Sequence, residues 1–305
     1  MALSHLLGDG AALWLCDDPG VTVVAVIGLG AMGSRFARRF LAAGHELVIW
    51  NRDPKKTELL ATAGARVGST PAEAAAGADV VITMVSDARA LRDVTEGPEG
   101  VAATARPGAI LIQMSTVGPD AIRRLATIVP ERALLDAPVL GSISEAEEGR
   151  LTLFAGGDRD VVARETPLLS SLGKVLPVGP LGAGTAAKLV ANSTLFTVLC
   201  GLGEAVAIAD ALELSRDAAF EVLAATPLAA QAARRRPAIE RGAYEPRFTL
   251  SLARKDADLI LDAAEAAGID LRLVAAARSW LAEAERAGRG SDDYSVALER
   301  ILGRP

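Results

Sequence analysis

Residues 21–44, VTVVAVIGLGAMGSRFARRFLAAG, constrain the fold more than any other stretch of the chain. VTVVAVI is a short, continuous, β-branched apolar run, the pattern of a strand covered on both faces in a parallel sheet. GLGAMG follows at once. SRFARRFLAAG then reads as a helix, with Phe36, Phe40 and Leu41 on one face and Gly44 as its stop. Gly28, Gly30 and Gly33, with Leu29, Ala31 and Met32 between them, fit GxGxxG. The string alone is weak evidence; between a strand and a helix it is strong. Gly28 permits the tight turn, Gly30 lets backbone approach a pyrophosphate, and Gly33 lets helix and strand pack closely. The helix N-terminus then points free N–H groups at the phosphates. Such a turn predicts a dinucleotide cofactor.

The next strand, ELVIW, ends at Asn51-Arg52, with Lys55 and Lys56 nearby. An acidic residue there would bond the ribose 2′-OH of NAD. Asn51 leaves no carboxylate to repel a 2′-phosphate, and Arg52 can stack on adenine and bond that phosphate. NADP is therefore expected, with NAD the weaker alternative. Asp53, followed by Pro54, belongs to the turn and faces away.

Strand-like and Ala-rich helical segments go on alternating through DVVITMV, AILIQMS, ALLDAP, LTLFAGG and KVLPVG, then the texture changes. After Pro180 no further strand is expected; residues 183–211, 215–225, 250–267, 271–287 and 292–302 read as helices. The fold class is α/β: a Rossmann-type doubly wound parallel sheet over residues 21–182, followed by an all-α C-terminal domain over 183–305. Two domains also suit a chain of 305 residues. Residues 1–20 read as an extension without a secretory signal's basic start. The charge-free run Leu189–Gly203 is too short for a membrane span and reads as a buried helix.

A net charge of −6 argues against nucleic acid or an anionic membrane as the partner, so a small molecule is expected. Cys16 and Cys200 form no spaced pair, and His5 and His45 have no ligand-like neighbours. Neither a metal site nor a Ser-His-Asp triad is expected, and a reducing cytoplasm is the default compartment.

VIGLGAMG, WNRDPKK, TMVSD, QMSTVGP, DAPVLGS, GAGTAAKLVANS and FTLSLARKDADL occur in that order over nearly the whole chain. With them the chain resembles the β-hydroxyacid dehydrogenases, which include 3-hydroxyisobutyrate dehydrogenases and tartronate semialdehyde or glyoxylate reductases. The resemblance implies that Met84 and Val85 line the cofactor crevice and that Thr116 sits at its nicotinamide end. Phe248 and Lys255 would reach the cofactor from the helical domain. Lys188 matches the family's catalytic lysine and Asn192 its hydrogen-bonding companion. Relatives of this kind are dimers or tetramers, so a homo-oligomer built through the helix after Gly182 is expected.

The chemistry of the residues agrees. In a helix, Lys188 and Asn192 lie ~40° apart in projection and share a face. A hydride arriving at a carbonyl carbon leaves negative charge on oxygen, which an ammonium stabilises and protonates; in reverse, the neutral amine takes the proton. The plainer reading, a snorkelling lysine, fits poorly at a helix start that already carries positive dipole.

Leu140, Gly141 and Ser142 form the expected substrate loop, and here the match departs. The family's usual DAPVSGG is DAPVLGS in this chain, so a hydrogen-bonding serine gives way to Leu140. Ser142 or backbone N–H groups would then hold a substrate acid, or the substrate is more apolar. Imine reductases share the fold but generally lack the lysine; a dinucleotide-binding module without turnover is the third reading.

Overall fold

The computed structural model describes residues 21–130 and 133–303; the expected extension, with His5 and Cys16, lies outside them. The first part is β1 (Val23–Ile27), α1 (Gly33–Ala42), β2 (Glu46–Trp50), α2 (Glu58–Thr62), β3 (Arg66–Val67), α3 (Pro71–Ala75), β4 (Val80–Thr83), α4 (Ala88–Thr95), β5 (Ile110–Gln113), α5 (Pro119–Ala126) and β6 (Leu134–Asp136). Then come β7 (Val139–Leu140), α6 (Ile143–Glu148), β8 (Leu151–Gly156), α7 (Arg159–Ser170) and β9 (Gly173–Gly179).

Successive residues of β1 explain its continuous apolar run. Val24 and Val26 join Phe36 and Phe40 in one buried cluster, whereas Ala25 and Ile27 join Leu91 and Leu111 in another on the opposite face. A strand covered by helices on both sides has no solvent face to mark with polar residues. The strand order begins β3-β2-β1-β4-β5-β6, all parallel. The order reverses between β1 and β4, and the crevice beyond their carboxyl ends is where such sheets bind ligands.

Beyond β6 the sheet is no longer parallel. β8 runs antiparallel to β6 and β7, and β9 runs parallel to β8. The six-residue α6 spans only ~9 Å, too short for the crossover that another parallel strand needs. The short strands β3 and β7 also lack the length from which sequence pattern is read.

The helical part comprises α8 (Ala183–Ala211), α9 (Arg216–Ala224), α10 (Ala229–Arg241), α11 (Leu250–Ala266), α12 (Arg272–Ala284) and α13 (Ala297–Ile301). α8 is long and apolar enough to cross a membrane by composition, yet it sends Phe196, Leu199, Leu202 and Val206 into the helical core. α10 does not follow from the sequence pattern. Pro237 lies inside it and only Ala232 and Ile239 are buried, so neither the stop signals nor an apolar stripe announce it. The expected helix over 292–302 is a 3-10 turn, Tyr294–Val296, leading into α13.

Candidate active site

The turn between β1 and α1 is shaped for close approach. Gly28 has φ +101°, and a Cβ there would strike the Met84 carbonyl. A Cβ on Gly33 would strike the carbonyl of Gly28, whereas one on Gly30 would meet only open space. Protein packing thus explains two of the glycines; the third faces room in which a phosphate fits. No side chain caps the first turn of α1; its Ser34, Arg35 and Phe36 N–H groups donate to the Gly30 and Met32 carbonyls, so an anion would be met at the Gly30–Gly33 end of the turn. These features fit a dinucleotide.

Asn51 holds this turn rather than standing free at the strand end. Its Oδ1 accepts from the Leu29 N–H at 2.8 Å, and its Nδ2 donates to the Asp53 carbonyl at 2.9 Å. Asp53 caps the following 3-10 turn by accepting from the Lys55 N–H. Arg52, Lys55 and Lys56 are exposed, and no carboxylate ends β2.

Met84 and Val85 follow β4 and are half-buried. The Met84 N–H donates to the Ile27 carbonyl at 2.9 Å. The Val85 N–H donates to the hydroxyl of buried Ser115 at 2.8 Å, tying the loop after β4 to the loop after β5. Thr116 is next in that second loop. Ser115 was legible only as a polar residue closing an apolar strand.

Asp136 sets where the helical part begins. Fully buried at the end of β6, it accepts from the Gly182 N–H at 2.8 Å and the Thr185 N–H at 2.6 Å. Burial raises its carboxyl above the usual range despite these donors. Gly156 and Gly184 meet here without room for a Cβ. The start of α8 is therefore pinned to the sheet, and Lys188 follows Thr185 by about one turn.

Lys188 is only 9% exposed. Burial pulls its ammonium from 10.5 down to about 8; Asp256 opposes this and Lys255 adds to it. Asn192 is fully buried, and its Nδ2 donates to Asp256 Oδ2 at 2.8 Å. Lys255 Nζ lies 2.8 Å from Asp256 Oδ1 and donates to the Thr116 carbonyl at 2.6 Å. The fold thus joins Lys188, Asn192, Lys255 and Thr116, with Asp256 at the centre. Asp256 lies in the LARKDADL segment, but nothing in a lone Asp beside a Lys announces a buried hub.

The other expected residues sit differently. Phe248 is half-buried and packs into an aromatic cluster, stacked on Phe196 at 6.4 Å and tilted against Tyr294 at 5.5 Å. Buried Asp293 holds its backbone, accepting from the Arg247 and Phe248 N–H groups at 3.1 Å. Leu140 is 36% exposed in β7. Gly141, at φ +137°, has no room for a side chain between Leu151 and Glu145. Ser142 is buried, and its hydroxyl and N–H both donate to the Glu145 carboxylate at the start of α6. This hydroxyl, one of the groups expected to hold a substrate acid, donates to Glu145 at the start of α6. Among the described residues, no group of side chains is arranged to hold a metal ion.

Residues 23–182 match the family described as the NAD binding domain of 6-phosphogluconate dehydrogenase. Residues 182–301 match the family described as the NAD-binding domain of NADP-dependent 3-hydroxyisobutyrate dehydrogenase. The chain is 32% identical over 288 residues to the 3-sulfolactaldehyde reductase of Escherichia coli K12, covering 92% of this chain and 96% of that protein. The chain belongs to the β-hydroxyacid dehydrogenase family. The 3-hydroxyisobutyrate dehydrogenase of Mycobacterium tuberculosis, in a structure with L-serine, superposes with TM-score 0.84 at 29% identity, over 92% of this chain and 99% of that one. An imine reductase from Myxococcus stipitatus with NADP+ shares the fold alone, at TM-score 0.62 and 24% identity over 92% and 99% of the two chains. Like its relatives in the family, the protein is an NAD(P)-dependent dehydrogenase or reductase acting on CH–OH groups.

Proposed function

We propose that this protein transfers a hydride between NADP(H) and a small 3-hydroxyacid or its semialdehyde, with Lys188 as general acid and base. The carrying observation is a buried lysine beside Asn192 and Asp256 where the two halves of the chain meet, with burial pulling its ammonium down to about 8. Bound nicotinamide supplies the hydride chemistry. Gly28–Gly33 and the α1 N-terminus hold the phosphates, Met84, Val85 and Thr116 border the crevice, and Lys255 closes it from α11. During reduction the Lys188 ammonium donates a proton to the oxygen that gains charge; during oxidation its neutral amine removes that proton. A group titrating near 8 can serve both directions near neutral pH. The relatives named as reductases or dehydrogenases of short acidic aldehydes and hydroxyacids support this substrate class. The absence of a carboxylate after β2 and the exposed Arg52 support NADP over NAD.

A second reading, reduction of an imine or apolar carbonyl, draws on Leu140, which stands part-exposed where the family usually has serine. The deciding experiment is NADPH turnover with a panel of short semialdehydes, 3-oxoacids, apolar aldehydes and cyclic imines, repeated with Lys188→Ala. On the best semialdehyde, Lys188→Ala should lower turnover by about 10²–10⁴ while NADPH affinity stays within a few-fold. Near-full turnover by that variant refutes the acid–base role. Preference for imines favours the second reading, and NADPH binding without turnover of any compound identifies a binding module. We further propose that the protein works as a homo-oligomer in a cytoplasmic compartment.

A further inference from the structure

Asp256 is used by no step proposed so far, yet it is 2% exposed and touches the groups that matter most. A carboxylate is an acceptor, so the Asn192 amide must turn its Nδ2 toward it. The amide oxygen, Asn192 Oδ1, is thereby directed away, and it is buried without a hydrogen-bond partner. An unpaired buried acceptor costs free energy unless a donor arrives. Lys188, one helical turn earlier on the same face, and a substrate hydroxyl are the donors that this position can meet. The same carboxylate pairs with Lys255, whose ammonium reaches the Thr116 carbonyl on the other side of the crevice.

We propose that Asp256 is a positioning residue: it fixes the Asn192 amide with its oxygen toward the reacting proton, holds positive charge on Lys188, and links both to the nucleotide-binding half through Lys255. This rests on the acid–base reading of Lys188 but is separable from it. The charged groups facing Lys188 are Asp256 and Lys255, both on α11. Removing the Asp256 charge leaves Lys188 with only burial and a neighbouring cation, and both favour the neutral amine. It also allows the Asn192 amide to flip.

The test is lysine side-chain NMR of the full chain, with and without NADP, because the chain has only five lysines to assign. The Lys188 titration midpoint should fall by about 1–3 pH units in Asp256→Asn, as expected on losing an adjacent opposite charge. The reduction rate should lose its alkaline limb at correspondingly lower pH. Asp256→Glu keeps the charge but displaces it, so the midpoint should stay near that of the unmodified protein while kcat falls more than KM changes. If Asp256→Asn does not fold, Asp256→Glu still decides: unaltered kcat refutes the positioning role. An unchanged Lys188 midpoint in folded Asp256→Asn overturns the proposal. That midpoint is read without substrate, so it stands apart from the Lys188→Ala turnover test, whose failure would sink the acid–base reading instead.

Discussion

A buried lysine is costly to the fold, and Lys188 shows the conflict between stability and chemistry at a single residue. Its pKa drops from 10.5 unfolded to about 8 folded, chiefly through burial. Between these values the unfolded chain binds more protons, so this contribution to stability rises with pH from about 8 to 10.5 and is fully unfavourable below 8. Lys188→Met should therefore stabilise the protein at pH 7, by up to about 3 kcal/mol, with Asp256 still paired to Lys255. The gain should fade above pH 8. Denaturant unfolding of both proteins at pH 7 and pH 10 checks this; a variant less stable at pH 7 contradicts the electrostatic account. Arg52 lies at the other extreme, exposed and free to choose a ligand. NADPH should bind more tightly than NADH, and Arg52→Ala should remove most of the difference, since one charge-assisted contact is worth about 1.5–3 kcal/mol. Equal dissociation constants for the two cofactors in the unmodified protein would exclude this role.

At the scale of elements, legibility followed length and period. β1, β2, α8 and α11 carry runs long enough to declare themselves, and the GxGxxG turn between β1 and α1 was readable because its neighbours were. α10 was not, since a helix with Pro237 near its end and two buried residues gives no apolar period. The bond from Ser142 to Glu145 was not readable for another reason: serine in a loop suits ligand and cap equally, and only the register of α6 places Glu145 against it. Ser142 holds the Glu145 carboxyl down at about 2, from an ordinary 4.5. A depressed carboxyl stabilises the fold above pH 4.5 and loses that contribution as pH falls toward 2. Ser142→Ala should cost about 1 kcal/mol at neutral pH, the usual worth of an N-cap. The gap to the unmodified protein should close in acid. Thermal unfolding at pH 7 and pH 3 measures it, and a constant gap would assign the loss to packing instead.

Among the described residues, α8 exposes large apolar side chains toward both of its ends. Val190 and Ile208 of α8 are 67% and 61% exposed and sit eighteen residues apart, five full turns, so they fall on one side of the helix. Leu212, 74% exposed, continues that side. Exposed apolar residues at both ends of one helix side, with Thr194, Thr197, Gly201 and Glu204 between them, suit pairing with a second copy of α8. Light scattering should give a multiple of the 31.4 kDa chain mass at micromolar concentration. Val190→Glu with Ile208→Glu should reduce it to a single chain. A monomer from the unmodified protein would refute the assembly.

Local physics is what the sequence by itself determined: β-branched runs, a glycine turn and helical period are properties of neighbouring residues, and they suffice for a Rossmann-type sheet followed by helices. Lys188 and Asn192 also belong to that level, being one turn apart on one helix. Their chemistry does not. Asp256 is 64 residues from Asn192, and Lys255 is 139 from Thr116. Only packing α8 and α11 against the ends of β5 and β6 puts one buried carboxylate between two lysines. The low dielectric that shifts Lys188 exists only once that packing is complete, so tertiary structure, not sequence, pulls its ammonium down to about 8.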